Sequence, residues 1–252
     1  MADLAALVLT YNEEGNIKEC LESINWIEEI VVIDSYSSDN TIAIAKDYTD
    51  RVYQRKFYDF ASQRNFALDK IEATWVLVVD ADERVTLELK DEILNLLTSP
   101  QADAYKIPRK NYFLGSWIKY CGWYPDYTLR LFKAQENRYS GLVHEGVKIK
   151  GKVDKVNNAF IHYTYRNLNH YLSKINHYTS LDAEKKYKAG KKKGLAYIIL
   201  RPMVEFIKKF ILKKGFLLGM PGLIVSVLSS YYQFLKYIKL WELNQFKSGR
   251  EE

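Results

Sequence analysis

Cysteine is scarce: Cys20 and Cys121 are the only two in 252 residues. Neither stands at metal-ligand spacing, and no dense disulfide pattern exists, which fits a reducing compartment. The start, Met1-Ala2-Asp3-Leu4, has no basic region ahead of an apolar stretch, so no secretory leader is expected there. Internal repeats and low-complexity linkers are missing too, which argues against a solenoid or a tethered array. Acid is nearly absent from Lys185 to Lys214, where every charged residue except Glu205 is a lysine or arginine. The formal net charge of +6 is therefore largely local. It suggests an anionic partner, against the plain alternative of a solvated lysine surface. Gly215 to Leu235 carries no charge at all.

What the chain does have is apolar residue in quantity, 48%, enough for one substantial α/β domain with a helical extension. Its most telling stretch is Trp75-Val76-Leu77-Val78-Val79-Asp80-Ala81-Asp82-Glu83, an apolar run that ends in alternating carboxylates. Such a run reads as a buried strand of a parallel sheet, and ligands collect outside the carboxyl ends of such strands. Asp80 and Asp82 at that end form a hard oxygen site suited to Mg²⁺ or Mn²⁺ together with phosphate oxygens.

Strand and helix alternate before it. Leu4–Leu9 runs into Thr10-Tyr11-Asn12-Glu13, and Ile17, Cys20, Leu21, Ile24 and Ile27 follow at helical spacing. Glu29–Ile33 ends in Asp34-Ser35, Ile42 and Ala45 mark a further helix, and Arg51–Gln54 precedes a helix expected over Ala61–Leu68. The pattern predicts a Rossmann-like, mostly parallel central sheet. Beyond it, Leu87 to Leu97 is helical, Ala104–Pro108 and Tyr112–Leu114 read as separate strands, and Leu129–Phe132 reads as a strand at the sheet edge. The stretch Trp117–Tyr127 is unusually aromatic, suited to core packing, to a lid, or to stacking on sugar rings. From Arg166 the chain is helical, with Tyr171, Ile175, Tyr178 and Leu181 expected on one stripe.

Three strand ends gather polar residues: Thr10 to Glu13, Asp34-Ser35, and Asp80 to Asp82. Along one sheet edge they would form a nucleotide crevice, with Asp34 accepting from a base or ribose edge and Asn12 and Glu13 closing the other side. Each alone reads equally as a cap or turn residue, Ser35 above all.

These motifs, with Ser38-Asp39-Asn40-Thr41 and Gln63-Arg64-Asn65 between them, resemble in order the signature of family 2 glycosyltransferases, inverting enzymes of the GT-A fold that use nucleotide sugars. Gly122-Trp123-Tyr124-Pro125-Asp126, Leu129-Arg130-Leu131-Phe132, Val143-His144-Glu145 and Lys214-Gly215-Phe216-Leu217 resemble the branch of lipopolysaccharide-core β-1,4-glucosyltransferases. The resemblance implies that Thr10, Asn12, Glu13 and Asp34 hold the nucleoside, with Tyr11, Ser35 and Ala81 in the same motifs. It implies that Arg64 approaches the diphosphate, Arg130 being a second candidate, and that Asp82, helped by Asp80, binds a divalent metal. A metal and an arginine would neutralise the leaving diphosphate.

An inverting transfer needs a base for the acceptor hydroxyl. Glu145 is the first candidate and Asp126 the rival, with a structural ion pair as the plain alternative for either. His144 and His162 read as hydrogen-bonded structural residues rather than metal ligands. The expected organisation is a catalytic domain over 1–165, with a nucleotide-sugar half of about 1–100 and an acceptor half of about 101–165, then a helical membrane-associating extension over 166–252. The expected reaction moves a hexose, glucose first, from a UDP-sugar to a lipopolysaccharide-core or other lipid-linked glycan at the inner face of the cytoplasmic membrane. Another acceptor, polysaccharide or protein, is the alternative; a nucleotidyltransferase lacks its Gly-rich, Arg-containing loop here. A basic module for nucleic acid would leave the strand-end motifs unexplained, so no nucleic-acid partner is expected. Gly215, Gly219, Pro221 and Gly222 interrupt the uncharged 215–235 stretch, which therefore reads as docking on an anionic surface rather than spanning.

Overall fold

The computed structural model describes residues 3–140, 146–165 and 167–246. Its first half alternates as β1 (Leu4–Thr10), α1 (Ile17–Ile24), β2 (Glu29–Asp34), α2 (Thr41–Lys46), β3 (Val52–Gln54), α3 (Phe60–Leu68) and β4 (Trp75–Asp80). There follow β5 (Glu83–Arg84), α4 (Leu87–Thr98), β6 (Ala104–Phe113), β7 (Ser116–Trp117), β8 (Asp126–Lys133), β9 (Tyr139–Ser140), β10 (Gly146–Val147), β11 (Val153–Lys155) and β12 (Phe160–Tyr163).

The main sheet runs β3-β2-β1-β4-β8-β6-β12-β5. Its first four strands are parallel, and β8 is antiparallel to both β4 and β6. Both faces of β1, β2 and β4 are covered, so their interiors are continuous apolar runs rather than alternating ones. Leu4, Ala6 and Val8 of β1 pack with Ile17, Cys20, Leu21 and Ile24 of α1 and Leu89 and Ile93 of α4. Ala5 and Leu7 face the other way, toward Ala67 and Leu68 of α3 and Phe132 of β8. Burying one such aliphatic side chain contributes about 1.5–3 kcal/mol, so these two layers dominate the stability of the sheet. Register then does the functional work: Thr10 stands beside Asp34, and Leu9 beside Asp80. Three strand ends share one edge.

Two strand expectations are corrected. Leu129–Phe132 is not at the edge, because β8 inserts between β4 and β6. Ala104–Pro108 and Tyr112–Phe113 belong to one strand, β6, which runs unbroken through the polar residues Arg109, Lys110 and Asn111 that the sequence pattern presents as a break.

The chain forms two compact units, Met1–Lys110 with Asp126–His162, and Asn111–Pro125 with Tyr163–Glu252. The second unit contains α5 (Leu168–Lys188), α6 (Leu195–Ile207), a π-helical turn over Lys208–Leu212, a 3-10 turn over Gly215–Leu218, and α7 (Met220–Phe246). Part of the aromatic stretch is core here: Trp123 packs with Phe113, Tyr171, Ile175, Val225 and Leu228, while Trp117 meets Tyr124 edge-on at 5.4 Å. The expected α5 stripe holds only at Tyr171 and Ile175; Tyr178 and Leu181 are exposed. Steps of four continue the buried face through Thr179 and Ala183, small residues beside which the Lys239 ammonium of α7 donates to Thr179 Oγ1 at 2.9 Å. Pro221 sits in the first turn of α7, where its missing N–H costs nothing. Among the described residues no helix is long and apolar enough to cross a membrane.

Gly222 lets α7 approach the preceding turn. A Cβ there would lie 1.9 Å from the Gly215 carbonyl oxygen, a backbone atom that has nowhere to go. Gly222→Ala is therefore expected to lower stability by about 1–3 kcal/mol, the scale of overpacking, read as a drop in melting temperature. An unchanged melting temperature would mean the two segments are not in contact.

Candidate active site

Strand ends along the shared edge are tied together by short polar turns. Asp34 is fully buried, and its carboxylate accepts the Ser37 backbone N–H at 2.8 Å and the Ser37 hydroxyl at 2.5 Å. The Ser37 hydroxyl in turn accepts the Asn12 N–H at 2.8 Å, and Asn12 Oδ1 accepts the Ser38 N–H at 2.8 Å. The Glu13 N–H reaches Thr41 Oγ1 at 2.8 Å, while the Glu13 carboxylate accepts from Asn16 Nδ2 at 2.7 Å. Asn12 takes a left-handed backbone, φ 52°, which asparagine tolerates. Tyr11 and Tyr36 on either side of this knot are exposed. Thr10 Oγ1 and Gln63 Oε1 are buried and have no hydrogen-bond partner among the described residues. Buried polar atoms are nearly always satisfied, so two orphans beside Asp34 and Ser35 mark hydrogen-bonding capacity the chain leaves open.

Helix α3 delivers three consecutive side chains in three directions. Its start is fixed by Asp59, which accepts the Ser62 N–H at 2.7 Å. Gln63 Nε2 then donates to Ser35 Oγ at 3.1 Å, Arg64 Nη2 reaches Asp80 Oδ1 at 3.5 Å, and Asn65 exchanges two hydrogen bonds with the Tyr139 backbone at 2.8 and 3.0 Å. The Gln-Arg-Asn order thus links the Ser35 side of the edge to its Asp80 side.

At the end of β4 lies a buried charge cluster. Arg130, on β8, is 5% exposed and bonds Asp80 Oδ2 through Nη2, which also contacts Glu83 Oε1 at 2.8 Å. Glu83 is fully buried and its Oε2 accepts the Asp80 backbone N–H at 3.0 Å. Arg109, on β6, lies 3.5 Å from Glu83 Oε1 and donates to Asp126 Oδ2 from Nε at 2.9 Å and Nη2 at 2.5 Å. Ala81 contributes its carbonyl, which accepts from Arg84 Nη1 at 3.0 Å and pins the turn. Burial works against ionising Asp80, but Arg130, Arg64 and Arg109 outweigh it and hold the carboxyl well below the usual range. Burial raises the Glu83 carboxyl, Asp80 adding to the effect and Arg130, His162 and Arg109 opposing it.

Asp82 differs. Its side chain is 25% exposed and its contact is His162 Nε2, at 3.4 Å from Oδ2, with no guanidinium on it among the described residues. Among those residues no three His, Cys, Asp or Glu side chains cluster as a metal cage. A hard cation that shares phosphate oxygens and water needs no such cage, only one or two carboxylates, and Asp82 is the carboxylate available. The donor set fits Mg²⁺ or Mn²⁺ on those terms.

The structure therefore brings Thr10, Tyr11, Asn12, Glu13, Asp34, Ser35, Arg64, Asp80, Ala81, Asp82 and Arg130 to one edge. Asp126 meets Arg109, which in turn lies 3.5 Å from Glu83 of the cluster. Glu145 lies outside the described residues, as does His144. Sequence reasoning missed Ser37, Gln63, Glu83 and Arg109. For Glu83 the signal was present, a third acid directly after Asp82, with arginines inside two later strands to match it.

A parallel α/β sheet whose polar strand ends carry a carboxylate-arginine cluster defines the class as a Rossmann-like α/β enzyme with an edge-on ligand site. The sequence profile described as Glycosyl transferase family 2 matches residues 6–145, and the chain belongs to that family of nucleotide-sugar-dependent enzymes. It is 28% identical over 259 residues to the "Lipopolysaccharide core biosynthesis glycosyltransferase LpsC" of Rhizobium meliloti (strain 1021), covering 97% of this chain and 94% of that one. An uncharacterized glycosyltransferase of Rickettsia felis is 28% identical over 260 residues, covering 96% and 90%. Among solved structures, S. aureus TarS 1-349 in complex with UDP-GlcNAc aligns with TM-score 0.48 and 15% identity over 98% of this chain and 92% of that one.

Removing one partner from a buried ion cluster leaves an uncompensated charge, which costs about 3–5 kcal/mol. Glu83→Ala should lose stability on that scale, since Arg130 and Arg109 both lose a partner. Asp82→Ala, partly exposed, should change it by less than about 1 kcal/mol. Denaturant melts of the two variants check this, and equal losses would contradict the cluster.

Proposed function

We propose that the chain is an inverting hexosyltransferase that moves glucose from a UDP-sugar to a lipopolysaccharide-core or other lipid-linked glycan at the inner face of the cytoplasmic membrane. One observation carries the reading: Thr10, Asp34 and Asp80 share a strand-end edge, and beside them Asp82 is a carboxylate left without a guanidinium among the described residues. The acceptor part of the proposal leans on LpsC, whose name assigns it to lipopolysaccharide core biosynthesis.

In this reading Thr10, Asn12, Glu13 and Asp34 hold the nucleoside, and exposed Tyr11 offers its ring to the base. Arg64 turns to the diphosphate; its 3.5 Å contact with Asp80 is long for a charged pair. Arg130, clamped by Asp80 and Glu83, keeps the Asp80 carboxylate fixed and charged. Mg²⁺ or Mn²⁺ held by Asp82, with help from Asp80, would supply positive charge to the leaving diphosphate. The base removes the acceptor proton as the hydroxyl attacks the anomeric carbon opposite the diphosphate. Glu145 takes that role, because Asp126 Oδ2 already accepts two hydrogen bonds from Arg109.

We assign catalysis to residues 1–165 and docking to 166–252, although Asn111–Pro125 and the residues from Tyr163 belong to the second compact unit. A peripheral attachment draws support from the lysines between Lys185 and Lys214 and from exposed apolar side chains in the same region.

Asp82→Ala should reduce sugar transfer by roughly 10² or more with the fold intact, the scale of losing one preorganised charge on a developing anion. Activity that stays at the wild-type level and still responds to EDTA would assign the metal elsewhere. Glu145→Gln should lower the catalytic rate by roughly 10² or more without loss of donor affinity, whereas Asp126→Asn should act mainly on stability. The reverse pattern would make Asp126 the base.

A further inference from the structure

The second unit holds a helix that is apolar on two sides. The inner side of α6 carries Ile198, Pro202 and Glu205, all buried. It is covered by α7, whose Ser230 hydroxyl donates to the Pro202 carbonyl at 2.8 Å and whose Tyr237 ring meets Tyr197 edge-on at 5.0 Å. The outer side carries Leu195, Ile199, Leu200, Met203, Val204 and Ile207, between 47% and 71% exposed. Those spacings of three and four make one continuous stripe. It continues past the helix through Ile211, Leu212, Phe216 and Leu217, each at least half exposed. A single exposed leucine needs no explanation, but a contiguous stripe of this kind marks a surface meant to be covered.

Charge says what covers it. Lys191, Lys192 and Lys193 precede the stripe, Lys208, Lys213 and Lys214 follow its helical part, and all six are exposed. The segment's one acid, Glu205, is turned inward and paired with Arg201 at 3.0 Å. A second copy of the chain laid on this face would set lysines near lysines with no acid to receive them. An anionic lipid surface meets both features, with acyl chains against the stripe and headgroups on the lysines.

We infer that α6 and the turns after it, residues 195–217, form an in-plane wedge that enters the outer part of an anionic bilayer. The inference rests on the membrane reading above and moves its centre: docking was expected over 215–235, yet Val225, Ser226 and Leu228 of that stretch are buried in the unit's own core, and Leu223, Val227, Tyr231 and Phe234 on its outer side are 37% to 48% exposed against 47% to 71% for the α6 stripe. α6 is about 20 Å long and runs on into the π-helical turn, where Lys208 and Lys209 interrupt its apolar character, so the segment suits lying flat rather than crossing.

The test is flotation of the full chain with vesicles of 70% phosphatidylethanolamine and 30% phosphatidylglycerol, beside pure phosphatidylcholine, with composition chosen as roughly that of an anionic bacterial leaflet. Wild type should float with the anionic vesicles alone. The exposed-site double variant Ile199→Glu with Met203→Glu should lose binding by roughly tenfold or more while keeping its melting temperature, and Val227→Glu on the exposed side of α7 should retain it. A nitroxide on Met203→Cys should become more accessible to oxygen than to a nickel chelate when anionic vesicles are added; Cys20 and Cys121 are buried and will not compete for label. Wild type that floats equally well with the double variant, or a label that stays open to nickel, would overturn the wedge but leave membrane attachment standing. Wild type that floats with no vesicle would overturn the attachment itself. A wild-type dimer that the double variant dissolves would make the stripe a self-interface and refute the inference.

Discussion

Arg130 cannot be buried alone. Taking an ion out of water costs several kcal/mol, and Arg130 bears that loss because Asp80 and Glu83 both meet its guanidinium. Much else follows from this constraint. Strand β4 must end at Asp80 so that its N–H reaches Glu83, and β8 must lie antiparallel beside β4 so that Arg130 points at that end. The neighbouring strand is held to the same register, since Arg109 and Asp126 stand directly opposite each other on β6 and β8. A slip of one residue would turn every one of these side chains to the other face of the sheet. The cluster also sets the acids of the Asp80-Ala81-Asp82-Glu83 run apart: Asp80 and Glu83 meet arginines, and Asp82 faces His162.

The first half of the fold was legible because each strand there is a bounded apolar run closed by a polar turn. Leu4–Thr10, Glu29–Asp34 and Trp75–Asp80 have no competing pattern, and their parallel order places their ends together without any knowledge of side-chain contacts. The antiparallel half was harder. Strand β6 contains Pro108 and the polar residues Arg109, Lys110 and Asn111, so its apolar pattern breaks where the strand does not, and β8 gives no local sign that it sits inside the sheet. The arginine partners of the carboxylates are long-range in sequence; Arg130 is fifty positions from Asp80, and only register brings them together. The helix α5 stripe departs from the pattern after Ile175 for a simpler reason: the packed face continues in the small residues Thr179 and Ala183, while the large apolar Tyr178 and Leu181 face outward.

The second unit shows the same division. Its uncharged stretch was visible in the sequence, but which part of it packs and which part faces outward depends on helix phase across the Gly215 and Gly222 close approach. The unit's own core takes Val225 and Leu228, and the outer side of α6 stays exposed among the described residues. Composition gave the region's charge; only packing assigned its faces.

The proposed function requires the strand-end edge to bind a nucleoside diphosphate, with Asp82 as the residue that would hold a divalent ion. Calorimetric titration of UDP into the full chain, with Mn²⁺ and again with EDTA, tests it most directly. The account predicts saturable binding with the ion present and a loss of at least about tenfold without it. Absence of UDP binding at millimolar nucleotide with Mn²⁺ present, or equal affinity in EDTA, would contradict it.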